Sequence, residues 1–160
     1  MSATPIFGTA ARRPSQRMKT KKSWAEKLAT NKDLPKTMVI PAPREVDALM
    51  KQVPRGRLVT INELRSALAA KHKVNIACPL TTGIFSWIAA HAAAEAEAEG
   101  AKRITPFWRT LKLGGEVNPK YPGGADSVAK RLRAEGHKTV AKGRRVLVAD
   151  HDKKLFTRLH

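Results

Sequence analysis

The sequence predicts a mainly α-helical domain that contains a helix-turn-helix and ends in a small β-hairpin. Three observations predict this fold class. Apolar residues recur at helical spacing in several segments, two of these segments are joined by a short turn, and residues 137–150 alternate around a glycine. An apolar content of 42% in 160 residues is enough to build one core.

Residues 1–36 are predicted to form a basic, largely disordered arm ahead of this domain. They hold nine Lys and Arg residues against only Glu26 and Asp33, and their apolar residues are sparse and aperiodic. We expect the arm to add phosphate contacts. The folded domain is predicted over residues 38–160.

The first predicted helix begins at Pro43, a residue favoured in the first turn because it has no free N–H to lose. One face of this helix carries Val46, Leu49, Met50 and Val53, at the spacing of a buried stripe. The helix is expected to end at Pro54 and Gly56.

The second predicted helix begins after Thr60 and runs to about His72. Thr60 and Glu63 form a capping-box pattern, in which each side chain accepts a hydrogen bond from the backbone N–H of the other. Ile61, Leu64 and Leu68 would face the core.

The third predicted helix starts at Thr81 or Thr82 and stops at Gly100, so that it and the second helix form the helix-turn-helix. Its inward residues are expected to be the largest apolar ones: Ile84, Trp87, Ile88 and Ala92. A fourth helix is predicted before Gly136, and the closing hairpin is predicted to turn near Lys142–Gly143.

The charge predicts a polyanionic partner. The chain has 31 Lys and Arg residues against 13 Asp and Glu, a net charge of +18. Nucleic acid is the first candidate and an anionic membrane surface the second. No apolar run approaches the roughly 18 residues of a membrane span, so no membrane insertion is expected. The single cysteine, Cys78, fits a reducing compartment, and we expect a cytoplasmic protein, associated with the nucleoid if the source is bacterial.

No catalytic set of residues emerges from residue types and spacing. The five histidines are scattered, without a metal-ligand spacing, and no cofactor motif is complete. Cys78 is either a nucleophile at a helix start, where the dipole lowers the thiol pKa, or a small core residue, which is the more common role of a lone cysteine. Phe107 and Trp108 either stack on a base or belong to the core.

Residues 44–138 resemble the C-terminal DNA-binding domain of the alkylguanine-DNA alkyltransferases and the alkyltransferase-like proteins. The resemblance rests on the order of three features: "VPRGRLVTINEL", the helix-turn-helix, and "TPFWRTLKLGGEVNPKYPGGADSVAKRLRAEGHK". It implies a winged helix-turn-helix fold, in which the C-terminal hairpin would be the wing.

The same resemblance argues against alkyl transfer. In the alkyltransferases the cysteine of a Pro-Cys-His-Arg motif takes the alkyl group, activated through a histidine, a water and a glutamate. Pro106 and Arg109 match this motif, but Phe107 occupies the cysteine position and Trp108 the histidine position. Glu135 matches the glutamate. A phenyl ring cannot replace a thiolate nucleophile, so no enzyme is expected.

Two further positions depart from the family. Its tyrosine, which helps to rotate the target nucleotide, falls at Ile61, and its intercalating arginine falls near Thr82. Base flipping is therefore not carried over to this chain.

The resulting hypothesis is a non-enzymatic protein that binds duplex DNA and recognises alkylated or otherwise modified bases without repairing them. The alternative is a basic RNA- or ribosome-associated protein with the same fold. A repair-protein partner is compatible with the first hypothesis, but the residues give it no identity. The residues predicted to bind DNA are Arg55, Arg57, Thr81, Thr82, Ser86, Lys112, Lys120, Arg144 and Arg145. The residues predicted to line the former alkyl pocket, and either to receive a base or to fill the space, are Phe107, Trp108, Arg109 and Tyr121. No metal and no cofactor are predicted.

Overall fold

The computed structural model describes residues 37–160, and the predicted basic arm lies outside these residues. The mainly α-helical fold with a C-terminal β-hairpin is confirmed. Four α-helices lie in the described part of the chain: α1 (Pro43–Lys51), α2 (Ile61–Lys71), α3 (Pro79–Ala98) and α4 (Gly124–Ala134).

Six short strands in the described residues form three separate pairs. Two of the pairs are parallel and join strands distant in the chain: β1 (Met38–Val39) with β3 (Ile76–Ala77), and β2 (Val59–Thr60) with β4 (Thr110–Leu111). The third pair is the antiparallel hairpin of β5 (Thr139–Lys142) and β6 (Arg145–Val148).

Helices α1 and α2 form as predicted. Val46, Leu49 and Met50 of α1 are buried, and Pro43 lies in its first turn. Thr60 caps α2 by accepting a hydrogen bond from the amide of Asn62, while the carboxylate of Glu63 accepts from the amide of Thr60. The capping box thus satisfies N–H groups that the first turn of a helix leaves free.

Helix α3 begins at Pro79, two residues before the predicted start, because proline fits the first helical position and Cys78 serves as the N-cap. It continues for 20 residues to Ala98, so the Ala- and Glu-rich residues 92–98 belong to the helix rather than to the following loop. Together with α2 and the turn between them, α3 completes the helix-turn-helix.

The predicted inward face of α3 is wrong. Ile84, Trp87 and Ile88 are each more than 40% exposed, and Ala92 is exposed as well. The buried residues are the small ones: Thr82, Ser86, Ala89, Ala90 and Ala93. Helix α3 packs against α1, and only small side chains on the contacting face let the two backbones approach closely. Ile84, Trp87 and Ile88 therefore point away from the core, whereas Phe85 packs partly against it.

The hairpin turns through Gly143 and Arg144, since Lys142 pairs directly with Arg145. Gly143 has a φ of +63°, a conformation that glycine adopts without steric cost. The amide of Val117 donates to the carbonyl of Val146, and this bond fixes the hairpin beside the loop that precedes α4.

The core lies between the four helices and includes the loop residues Phe107, Leu111 and Val117. No helix within residues 37–160 has the length and hydropathy needed to cross a membrane. In the same residues, no cluster of three His, Cys, Asp or Glu side chains is placed to hold a metal ion.

Candidate nucleic-acid interface

A groove of about 410 Å³ runs along the N-terminal half of α3, between this helix and the loop that precedes α4. Its walls combine apolar side chains with two lysines at the edge. The lining residues are Ile61, Pro79, Leu80, Gly83, Ile84, Ser86, Trp87, Lys112, Asn118, Pro119 and Lys120. No acidic residue lines the groove, so its charge suits an anionic ligand.

Two side chains of α3 hold the loop in place. The indole Nε1 of Trp87 donates to the carbonyl oxygen of Lys120 at 2.9 Å, and Nε2 of His91 lies 3.1 Å from the same oxygen. The two rings pack edge to face, with centroids 5.1 Å apart. These hydrogen bonds fix the loop wall of the groove to α3. The exposed Lys120 side chain extends from this fixed backbone.

Gly83 lies inside α3 without any steric need for glycine, since a Cβ atom at this position would meet no atom within 4 Å. A glycine within a helix costs about 0.5–1 kcal/mol relative to alanine. Gly83 lines the groove, so a larger side chain at this position would project into it.

The hairpin brings further positive charge to the same side of the molecule. The Glu116 carboxylate lies between Lys112, at 3.0 Å, and Arg145, at 3.9 Å. Lys112 lines the groove and Arg145 is exposed at the start of β6, so this contact places Arg145 next to the groove. Three of the predicted DNA-binding residues are thus brought together: Lys112, Lys120 and Arg145. Arg144 is exposed in the hairpin turn.

Arg55 and Arg57 are exposed but lie elsewhere. Arg55 lines a shallow recess with Trp108 and Arg131, and Arg57 lines another with Phe156 and Arg158. The structure does not bring them to the α3 groove.

Two of the three predicted hydroxyl contacts on α3 need correction. Thr82 and Ser86 are fully buried, and their hydroxyls donate to the carbonyl oxygens of Cys78 and Gly83 within the helix. Their hydroxyls are thus unavailable to a phosphate. Thr81 is partly exposed and keeps this role as a prediction.

Two of the aromatic residues that the resemblance assigns to an alkyl pocket are buried. Phe107 and Tyr121 are 1% and 2% exposed and pack edge to face, with ring centroids 5.9 Å apart. Burial raises the pKa of Tyr121 to about 12, although hydrogen bonding to Ser86 and Asn118 opposes the shift. Of the two roles predicted for these rings, filling the space fits their burial, and receiving a base does not.

Trp108 and Arg109 both bind Glu135. The indole Nε1 of Trp108 donates to Oε1 at 2.8 Å, and the guanidinium of Arg109 donates to both carboxylate oxygens at 2.8–3.1 Å. The amide of Gly56 also donates to this carboxylate. Burial alone would raise the pKa of Glu135, but these hydrogen bonds outweigh burial and lower the pKa. The glutamate is held as an anion by its neighbours.

One known structure is similar to the chain. The crystal structure of S. pombe Atl1 in complex with damaged DNA containing O6-carboxymethylguanine superposes with a TM-score of 0.47 at 13% sequence identity, over 71% of this chain and 93% of that one. No protein-family model matches the sequence, and no curated protein matches it either.

Cys78 lies at the N-cap of α3 and is partly exposed. The hydroxyl and amide of Thr81 lie close to its sulfur and lower the pKa of the thiol. The cysteine is thus at a helix start, as predicted, and it lies outside the aromatic cluster of Phe107 and Tyr121.

Sequence reasoning missed the outer face of α3, which carries Leu80, Ile84, Trp87 and Ile88. A pattern in the sequence could have revealed it, because Thr82, Ser86, Ala89 and Ala93 recur at helical spacing and form a stripe of small residues. Such a stripe is typical of a helix face that approaches another backbone closely. Residue size alone predicts the wrong face of α3, because it places the largest apolar side chains in the core.

Proposed function

We propose that this protein binds duplex DNA through the N-terminal half of α3, the groove beside it and the adjoining hairpin. The observation that carries the proposal is the convergence of Lys112, Lys120 and Arg145 on a helix-turn-helix whose second helix exposes its first turns. A net charge of +18 supplies attraction that does not depend on base sequence. A groove without acidic residues favours the approach of phosphates.

We further propose that the protein does not transfer alkyl groups. By the resemblance, Phe107 occupies the position of the reacting cysteine, and its ring is buried against Tyr121. Glu135 is bound by Arg109, so it has no free side from which to activate a water toward a nucleophile. An altered base is then expected in the groove along α3, because Phe107 and Tyr121 are buried.

The decisive measurement is the salt dependence of binding to a short duplex by the full chain. Contact with 6–10 phosphates predicts that affinity falls by about 10³–10⁵ between 50 and 200 mM salt. The double variant Lys112→Gln, Lys120→Gln should lower the slope of log K against log salt by about two. Lys73→Gln, in the turn that follows α2, is the control and should leave the slope unchanged. An affinity that does not change with salt would overturn the proposal.

Two comparisons define the ligand. Competition between duplex DNA and structured RNA at fixed salt separates DNA binding from RNA or ribosome association. Matched duplexes with and without an alkylguanine test the recognition of modified bases. Equal affinity for both would limit the function to general DNA binding.

A further inference from the structure

The exposed face of α3 is unusually apolar for a protein of this charge. Eight large hydrophobic residues are exposed within residues 37–160, and four of them are on this helix: Leu80, Ile84, Trp87 and Ile88. Leu80 is the most exposed of the four, at 70%. Contiguous exposed apolar residues of this kind mark interaction sites in proteins that are otherwise polar at the surface.

Leu80, Ile84 and Ile88 follow one another at intervals of four residues, so their side chains form a row about 12 Å long. We call these three residues the apolar row. Trp87 lies beside it, but the hydrogen bond from its indole to Lys120 holds that ring against the loop. The side chains of the apolar row are therefore the ones that can insert into a bound ligand. Leu80, in the first turn, is the most exposed of them.

The residue types of this face are unsuited to reading base edges. Direct readout in the major groove relies on Arg, Lys, Asn or Gln side chains, which pair with donors and acceptors on the bases. The first three turns of α3 carry none of these residues. In contrast, apolar side chains inserted between base steps are a recurrent way of binding the minor groove, because they unstack and bend the duplex.

The charges around the row also favour DNA. Lys112 and Lys120 border the groove that Leu80 and Ile84 line, at the edge where phosphates would lie. Glu95 and Glu99 continue the same exposed face farther along α3. A groove of duplex DNA is about 6–12 Å wide, so it would contact only the first turns of α3, which is about 30 Å long. An anionic membrane would contact its whole length and would be repelled by these glutamates.

We propose that Leu80 and Ile84 act as an apolar wedge, which enters between base pairs and makes the protein unstack and bend the duplex it binds. The inference rests on the proposed DNA binding and adds the deformation to it. Because bending is cheapest at flexible steps, duplexes with a central TA step or a mismatch should bind more tightly than stiff A-tracts of the same length.

The test uses the full chain and a duplex of about 20 base pairs with a dye at each end and a mismatch at its centre. The wild type should raise energy transfer between the dyes, which reports a bend. The variant Leu80→Ala, Ile84→Ala should lose the change in energy transfer and at least tenfold in affinity, while its salt slope stays as in the wild type. Ile40→Ala, which shortens an exposed apolar side chain ahead of α1, is the matched control.

A second variant separates insertion from simple contact. Leu80→Lys adds a positive charge, so it should retain much of the affinity and still lose the bend. Leu80 and Ile84 are both exposed, so the melting temperatures of Leu80→Lys and of the double alanine variant should be close to that of the wild type.

Two DNA results would overturn the wedge: binding by the wild type without a bend, and an unchanged bend with the double variant. Two other results would assign the apolar row to a different partner. The double variant could lose binding to phosphatidylserine vesicles while it keeps binding to DNA, or it could be a monomer where the wild type is a dimer; either result would overturn the wedge. In each case DNA binding by the wild type is measured separately, and its absence would refute the proposed function itself.

Discussion

Arg109 and Glu135 form a two-pronged ion pair in which the guanidinium donates to both oxygens of the carboxylate, and both side chains are at least 86% buried. Arg109 also donates to the carbonyl of Val53, at 2.7 Å. The pair therefore joins the loop before β4 to the end of α1 and the end of α4. By the resemblance, Glu135 would belong to a proton relay, but its contacts here are those of a structural anchor.

The first prediction concerns this anchor. Glu135→Gln should lower the free energy of unfolding by about 3 kcal/mol, because it leaves the Arg109 guanidinium buried without a counter-charge. Chemical denaturation measures the loss. Glu97→Gln is the control, since its pair with Arg131 is far more exposed than the Arg109–Glu135 pair and should contribute less than about 1 kcal/mol. Equal losses in the two variants would contradict a structural role for Glu135.

The second prediction concerns Glu45, which joins the start of α1 to the end of α2. The Ala42 amide, Lys71 and His72 all bind its carboxylate, and together they lower its pKa from 4.5 to about 2. Because the folded-state pKa lies below the unfolded one, this contribution is present above about pH 4.5 and is lost as the pH falls toward 2.

Glu45→Gln should therefore cost about 1 kcal/mol at neutral pH, a modest figure because the site is solvent-screened. The difference from the wild type should shrink below pH 4.5 and vanish near pH 2. Denaturation at a series of pH values measures it, with Glu95→Gln, at an exposed position of α3, as the control. A difference that is constant across this range would show that the carboxylate charge is not responsible.

The helices that sequence patterns located are those whose ends carry local signals. The capping box of Thr60 and Glu63 and the proline at Pro43 act within a single turn, so they are visible without the fold. The two-residue hairpin turn is equally local. The orientation of α3 is not signalled at its ends, because it depends on how closely α1 packs against it. Its trace in the sequence is the stripe of small residues, Thr82, Ser86, Ala89 and Ala93.

The candidate site shows the same division. Lys112 and Lys120 were predicted to bind DNA and lie together on the groove, since they flank one short loop. Arg55 was grouped with them by charge alone, but the fold places it beside Trp108. The burial of Phe107 could not be separated from base stacking on residue type, because both roles use a flat apolar ring.

By the resemblance, Phe107 occupies the position of the alkyltransferases' reacting cysteine, and the third prediction tests whether a cysteine there is sufficient for alkyl transfer. Phe107→Cys should not produce the reaction, because Trp108 offers no base and Glu135 is occupied by Arg109. Intact-mass measurement after incubation with alkylguanine DNA should show no added alkyl group. The variant should also lose about 3 kcal/mol of stability, since a buried ring is replaced by a small side chain.

The wild type is the control for this experiment, because it also tests Cys78 as an acceptor. An alkyl adduct on the wild type would identify Cys78 as reactive and refute the non-enzymatic proposal. An adduct only on the Phe107→Cys variant would show instead that the surrounding residues still support the chemistry.

The last prediction separates the stability of α3 from its role in binding. Gly83→Ala should raise the free energy of unfolding by about 0.5–1 kcal/mol, because alanine favours the helix and its Cβ atom meets open space. Gly83→Leu should fold equally well but fill the groove between Ile61 and Pro119, so its affinity for duplex DNA should fall while that of Gly83→Ala stays near the wild-type value. Denaturation and duplex titration at one salt concentration measure the two effects. Unchanged affinity in Gly83→Leu would show that DNA does not enter the groove, and glycine at this position would then have no binding role.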